Sequence, residues 1–175
     1  MKAQLTYDAL NNTKPIKIGR NTYYCLEHKT YQGYWISTLG HVISLVSGYR
    51  GKSTQKRGTS KPVLRRAQVI NTGYQRIAIA LPSGGTKQEL VHRLVAETFL
   101  VPPSDAPNLK DPIGSDKKPR TEVNHLNGNK LDNAVSNLEW NSHEENINHK
   151  KLLNELRSQR QPAKPKKSLK RGKRL

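Results

Sequence analysis

The sequence predicts an α+β chain with a β-rich N-terminal region of hairpins, a strand–loop–strand–helix unit, and a basic, disordered C-terminal tail. Three observations carry that expectation. Tyr74 to Leu81 (YQRIAIAL) alternates apolar and polar residues, putting Ile77, Ile79 and Leu81 on one face of a strand. Val91, Leu94, Val95 and Phe99 then follow helical spacing. Further on, Ser142 and Glu145 form the Ser-x-x-Glu pattern that opens a helix, directly after two short apolar runs separated by an Asn- and Gly-rich loop.

Taken in order, residues 1–30 are polar with no clear periodicity and form an N-terminal segment without an assigned element. Residues 31–91 form a β-rich region. Within it, two β-rich runs between Tyr31 and Leu45 flank Thr38-Leu39-Gly40, which predicts a short hairpin. Gly48 to Pro62 is basic and rich in Gly and Ser, as expected of a mobile loop that can follow a phosphate backbone. Pro82-Ser83-Gly84-Gly85 turns the chain after YQRIAIAL, and Thr86 to Val91 returns as the partner strand. A helix over His92 to Leu100 follows, stopped by Pro102 and Pro103. It opens the third region, 92–160.

Residues 104–120 hold three prolines and read as a connector. From Thr121 to Trp140 the chain reads as strand, turn-rich loop and strand, with a helix from His143 to about Arg160. Residues 161–175 are low in complexity and expected to be disordered. Trp140 and Trp35 are expected in the core.

Composition limits the partners. Hydrophobic residues make up 33% of the 175, low for a globular chain, and the formal net charge is +18. From Lys150 onward, eleven Lys and Arg stand against one acid, so the tail holds +10 and the remainder +8. Both parts attract polyanions. No apolar run approaches the roughly 18 residues that span a bilayer, and the N-terminus lacks the apolar core of a signal peptide, so neither a membrane nor export is expected. Cys25 is the single cysteine, which rules out an internal disulfide and an all-cysteine zinc knuckle. A reducing, cytoplasmic setting and a nucleic-acid partner fit best.

The strand–loop–strand–helix unit draws distant residues to one crevice. His125 ends the first strand beside Asn124, and Asn146 lies on the first helical turn. The set comprises two amide oxygens, one imidazole and no thiolate. Phosphodiester hydrolysis is among the slowest uncatalysed reactions, and a lone base contributes only about 10² to 10⁴ to its acceleration. Much of the remainder can come from a divalent metal that stabilises charge on the phosphate. Neutral imidazole suits the base, and amide oxygens suit a hard ion such as Mg²⁺ or Mn²⁺.

These residues resemble a known family. VNHLNGNKLDNAVSNLEW followed by HEEN looks like the ββα-metal motif of phage and intron-encoded HNH homing endonucleases. YQGYWISTLGHVISL and GYQRIAIALPSGGTKQELVHRLVAETFL resemble the segments that precede it, so the likeness spans about residues 31–150. It implies that His125 is the general base that activates water. Asn137 becomes the central asparagine that ties the loop together and helps orient the histidine. Asn146 replaces the final histidine as a metal ligand, and Asn124 takes a place that Asp or His fills in many relatives. His149, three residues after Asn146, is a further ligand candidate; His143 and His149 otherwise fit the surface or DNA.

The expected function is a DNA endonuclease that uses one divalent metal, Mg²⁺ or Mn²⁺, and acts as a monomer that nicks double-stranded DNA. Arg50, Lys52, Lys56 and Arg57 in the basic loop are expected to contact DNA, as are Arg76, Arg93, Lys130, Lys150 and Lys151. Against His92 as a phosphate contact stands plain packing beside the hairpin. Two alternatives stay open: a DNA-binding protein with a decayed nuclease motif, favoured by the neutral Asn124, and a basic RNA-binding protein, which leaves the order of the blocks unexplained.

Overall fold

The computed structural model describes residues 7–45, 61–100 and 120–160. The basic loop with Arg50, Lys52, Lys56 and Arg57, the connector up to residue 119 and the tail from 161 lie outside the described residues.

After a short helix, α1 (Tyr7–Asn11), four strands form a meander: β1 (Lys14–Ile18), β2 (Asn21–Glu27), β3 (Tyr34–Ser37) and β4 (Val42–Ser44). With β5 (Val63–Leu64) they make an antiparallel sheet in the order β1-β2-β3-β4-β5. The sheet therefore starts at Lys14, inside the segment where the sequence showed no periodicity. The reason is local. β1 and β2 expose most of their side chains and bury only Cys25 fully, so pairing holds them where a hydrophobic pattern does not. The β3–β4 hairpin turns at Leu39-Gly40, where Gly40 has a φ of 82° that a residue with a side chain rarely adopts. Trp35 is half-buried on the face of β3 turned from the core, with Lys14 Nζ 5.8 Å from its ring centroid, rather than in the core as expected.

A second antiparallel sheet contains β6 (Gln68–Val69), β7 (Gln75–Ala80) and β8 (Thr86–Leu90). Ile77 and Ile79 are buried on one face of β7, as its alternation requires. Helix α2 (Val91–Phe99) follows β8 directly and is the hub of the fold. It buries Val91, Leu94, Val95, Ala96 and Phe99 against Tyr34, Ile36, Val42, Ile77 and Ile79 of the sheets on one side and Val123, Val135 and Leu138 on the other. Removing a fully buried ring such as Phe99 typically costs about 3–5 kcal/mol.

The third unit is a two-stranded sheet of β9 (Glu122–His125) and β10 (Leu138–Asn141), joined by a loop with a 3-10 turn at Val135–Asn137 and followed by α3 (His143–Arg160). Ser142 Oγ accepts from the Glu145 amide at 3.2 Å, and Glu145 Oε2 accepts from the Ser142 amide at 3.0 Å. This reciprocal cap starts α3 where the Ser-x-x-Glu pattern predicts. Arg120 strengthens it with bonds of 3.0 and 2.8 Å to the Glu145 carboxylate. Trp140 is half-buried and packs on the core, with Arg93 above its ring at 5.8 Å. No helix among the described residues is long and apolar enough to cross a membrane.

Candidate functional site

A cavity of about 340 Å³ opens between β9, the loop after it and α3. Strand alternation puts Glu122 and Asn124 on the face of β9 toward α3, while His125, at the strand end, turns to the α2 side. All three nonetheless line the cavity, together with Asn146 and His149 of α3. The ββα fold thus brings His125, Asn124 and Asn146 to one concave surface.

His125 is only 4% exposed, so little of its ring meets the cavity. Its protonation state follows from its neighbours. Asn133 Nδ2 donates to Gln75 Oε1 at 2.7 Å, which leaves Asn133 Oδ1 as an acceptor, 3.1 Å from His125 Nε2. His125 therefore carries its proton on Nε2, and the lone pair lies on Nδ1. Burial holds its pKa below the ordinary histidine value, partly offset by the Asn133 hydrogen bond and by Asp132, so the ring is neutral near pH 7. Behind it His92 packs edge-on at 5.2 Å, and Tyr74 flanks both rings, 4.8 Å from His92 and 5.9 Å from His125. Burial pushes His92 down to about 3, with His125 and Arg93 adding to the effect. Packing within the fold is therefore what the structure gives His92.

Asn137 is buried beneath the loop. Its Nδ2 donates to Asn127 Oδ1 at 3.1 Å and Asp132 O at 2.8 Å, and its Oδ1 accepts from the Asn127 amide at 3.0 Å. Its backbone carbonyl accepts from the Leu126 amide, next to His125. One side chain thus ties both ends of the 127–132 loop together. At the tip, Gly128 has a φ of 69°, and Leu153 and Arg157 of α3 lie against it where a Cβ would stand.

The two amides at the cavity are oriented by carboxylates. Asn146 Nδ2 donates to Glu122 Oε2 at 2.7 Å. Asn124 Nδ2 donates to Glu139 Oε1 at 2.9 Å and lies 3.0 Å from His149 Nδ1. A carboxylate accepts only from the NH₂ side of an amide, which frees the two Oδ1 atoms. Among the described residues no group of three or more His, Cys, Asp or Glu gathers to hold a metal. Those two carbonyls offer oxygen donors beside the Glu122 carboxylate, which already accepts from Asn146, and amide oxygens fit a hard divalent ion that also draws on water and phosphate. His149 Nδ1 is taken up by Asn124, and His143 Nδ1 is 2.7 Å from Glu122 Oε1, so neither offers that nitrogen to a metal. Hydrogen bonds from Asn146 and His143 lower the Glu122 pKa.

Among the cationic candidates, Lys130 and Lys150 line the cavity. Lys130 Nζ donates to Thr72 O at 2.8 Å and sits 4.4 Å from the Tyr74 ring centroid. Lys151 is exposed on α3. Arg93 is engaged by Glu97 and the Thr121 carbonyl, away from the cavity lining. Arg76 lies elsewhere, in a second cavity of about 340 Å³ that Arg65 and Arg66 also line. Spacing alone did not single out Asn133, Gln75, Glu122 or Glu139. Only Glu122, two residues before Asn124 on a strand and hence on its face, left a usable signal.

Fold and site define a class: a ββα unit with one neutral imidazole and two free amide oxygens around a basic-rimmed cavity. No protein-family profile matches the chain. A protein of the SPbeta prophage of Bacillus subtilis (strain 168), named as an HNH homing endonuclease, is 34% identical over 116 residues, 66% of this chain and 51% of the relative. A protein of Acanthamoeba polyphaga mimivirus, named as an HNH endonuclease, is 40% identical over 77 residues, 44% of this chain and 16% of its own length. The HNH homing endonuclease I-HmuI, solved in a study of DNA binding and cleavage, aligns with a TM-score of 0.49 and 26% identity over 73% of this chain and 57% of that one. The chain is a sequence relative of the HNH homing endonucleases. It spans about half the length of the Bacillus relative and less of the viral one.

Proposed function

We propose that the chain is an HNH-type DNA endonuclease that hydrolyses one phosphodiester bond per binding event, with His125 as general base and one divalent ion, Mg²⁺ or Mn²⁺, held by Asn124 and Asn146. The observation that carries this reading is the neutral His125, its Nε2–H committed to Asn133, on the same cavity as the two free amide oxygens. The names of the relatives support the same activity.

His125 Nδ1 takes a proton from a water molecule as its oxygen bonds to phosphorus; the opposite P–O bond breaks, and its oxygen takes a proton from solvent and leaves as the hydroxyl end of one strand. The positive charge that develops on the ring is stabilised by Asn133 Oδ1 through the Nε2–H bond. A bound divalent ion supplies charge stabilisation at the phosphate and leaving oxygen. Asn137 keeps the loop that follows His125 closed. Lys130 and Lys150 meet backbone phosphates at the rim, and Lys151 on α3 adds to them. Arg76, in the second cavity, and Arg50, Lys52, Lys56 and Arg57 of the basic loop are further DNA contacts in this reading. Arg93 acts within the fold.

The neutral Asn124 favours a second reading, a DNA-binding protein that no longer cuts. Incubating supercoiled plasmid with the protein and Mn²⁺ separates the two. Nicked circle that forms with Mn²⁺ and disappears with a chelator supports the endonuclease. Retarded but uncut plasmid supports the binder, and linear product ahead of nicked circle contradicts the single-strand step.

A further inference from the structure

Asn124 and Asn146 are neutral, yet each is backed by a negative charge. Glu139 stands directly opposite Asn124 in the β9–β10 ladder and accepts from its Nδ2. Glu122, two residues before Asn124 on the same face, accepts from Asn146 across to α3. Each amide thus has a carboxylate on its nitrogen side and a free carbonyl on the other. Asn124 is held twice, because Glu139 and His149 Nδ1 together engage its NH₂ group. Both Glu122 oxygens are already engaged, one by Asn146 and the other by His143, each at 2.7 Å.

We propose that Glu122 and Glu139 are positioning residues that make this pair of neutral amides competent to hold a divalent cation, by locking each carbonyl oxygen outward and placing a negative charge one amide behind it. This rests on the metal-dependent reading of the cavity. The physical basis is general. A ligand oriented by an outer hydrogen-bond partner binds without losing rotamer freedom, and an anionic partner polarises the amide so that its oxygen becomes the stronger donor. The charge missing at Asn124 is supplied from one residue further out.

The test separates charge from shape. Mg²⁺ is titrated into the ¹⁵N-labelled full-length chain, and binding is read from the side-chain amide signals of Asn124 and Asn146, with the backbone spectrum reporting the fold. Glu122→Gln and Glu139→Gln keep an oxygen acceptor for each amide but remove the charge. Each is expected to weaken Mg²⁺ binding about tenfold, the usual loss for an outer-shell partner. Glu122→Ala is expected to lose no less than the Gln variant. Asn124→Asp placed in the double Gln variant is expected to recover the affinity by returning a charge to the inner position. Gln variants that bind Mg²⁺ as the unaltered chain does, with only Glu122→Ala impaired, would show a purely structural role and overturn the inference. So would an unaltered chain that nicks plasmid yet binds no Mg²⁺ at millimolar concentration, and in that case the endonuclease reading stands without it. Mg²⁺ bound as expected but no nicking under any condition would keep the inference and remove the endonuclease. Neither binding nor nicking would remove both.

Discussion

Gly40, in the turn between β3 and β4, lies directly against Asn133, the residue that accepts the Nε2 hydrogen of His125. A Cβ at position 40 would stand 2.7 Å from Asn133 Cβ and 2.8 Å from its carbonyl oxygen. The Val135 amide donates to the Thr38 carbonyl at 2.9 Å beside it, so the β3–β4 hairpin docks on the loop that holds the site histidine. The N-terminal sheet and the ββα unit are thereby linked at the site as well as through α2.

Gly40→Ala is therefore expected to disturb both fold and site. The φ of 82° disfavours any side chain, and the collision is with the Cβ and the backbone carbonyl of Asn133, which no change of rotamer moves. We expect a loss of about 2 kcal/mol, or roughly 8 °C in Tm, together with slower nicking. Gly19→Ala is the control, because Gly19 shares the positive φ but has nothing within 4 Å of an added Cβ. It should cost less in Tm and leave nicking unchanged. Equal losses in the two variants would separate Gly40 from the site.

The pH dependence of nicking should follow His125. Burial lowers its pKa, so the neutral base persists through neutral pH and the rate should fall only on acidification below the ordinary histidine range. Asn133→Asp puts a carboxylate on the Nε2–H, which favours the charged ring. Gln75 can turn its own NH₂ toward that carboxylate. The acid limb of the pH–rate profile should move to higher pH in this variant. An unmoved limb would mean that another group sets it.

Acid should also weaken the fold through His92. Its folded value of about 3 lies below the ordinary 6.5, so its contribution is complete above pH 6.5 and is lost as pH falls from there toward 3. Burial lowers His41 and His125 in the same direction. For His92 alone the loss by pH 4 is on the order of 3 kcal/mol. His92→Phe removes the titrating group while keeping a ring beside Tyr74, and its Tm should drop less between pH 7.5 and pH 5 than that of the unaltered chain. Parallel Tm–pH curves would contradict this.

Ser142→Ala removes the side-chain half of the cap on α3 and should cost about 1 kcal/mol in denaturant unfolding. Glu145→Ala also breaks the Arg120 pair, whose two side chains are each 17% exposed, and should cost more. Reversal of that order would mean that the Arg120 pair contributes little.

The parts of the fold visible in the sequence are those that bury an apolar stripe or need a special residue. Ile77 and Ile79 alternate because one face of β7 is core. Ser142 and Glu145 announce α3 because a helix start leaves amides to be capped. His125, Asn124 and Asn146 could be placed together because a ββα order forces them to one crevice. What stayed hidden depends on contacts between distant residues. Asn133 and Gln75 meet across 58 positions, and no spacing rule links them. β1 and β2 pair with little burial, which leaves no hydrophobic rhythm to read.

The most direct test of the account is His125→Ala, with single-turnover cleavage of a DNA duplex in Mn²⁺ measured beside equilibrium affinity for the same duplex. Loss of a general base predicts a rate lowered by about 10² to 10⁴ with DNA affinity nearly unchanged. A variant that cleaves at the original rate, or one whose affinity falls as far as its rate, would contradict His125 as the base.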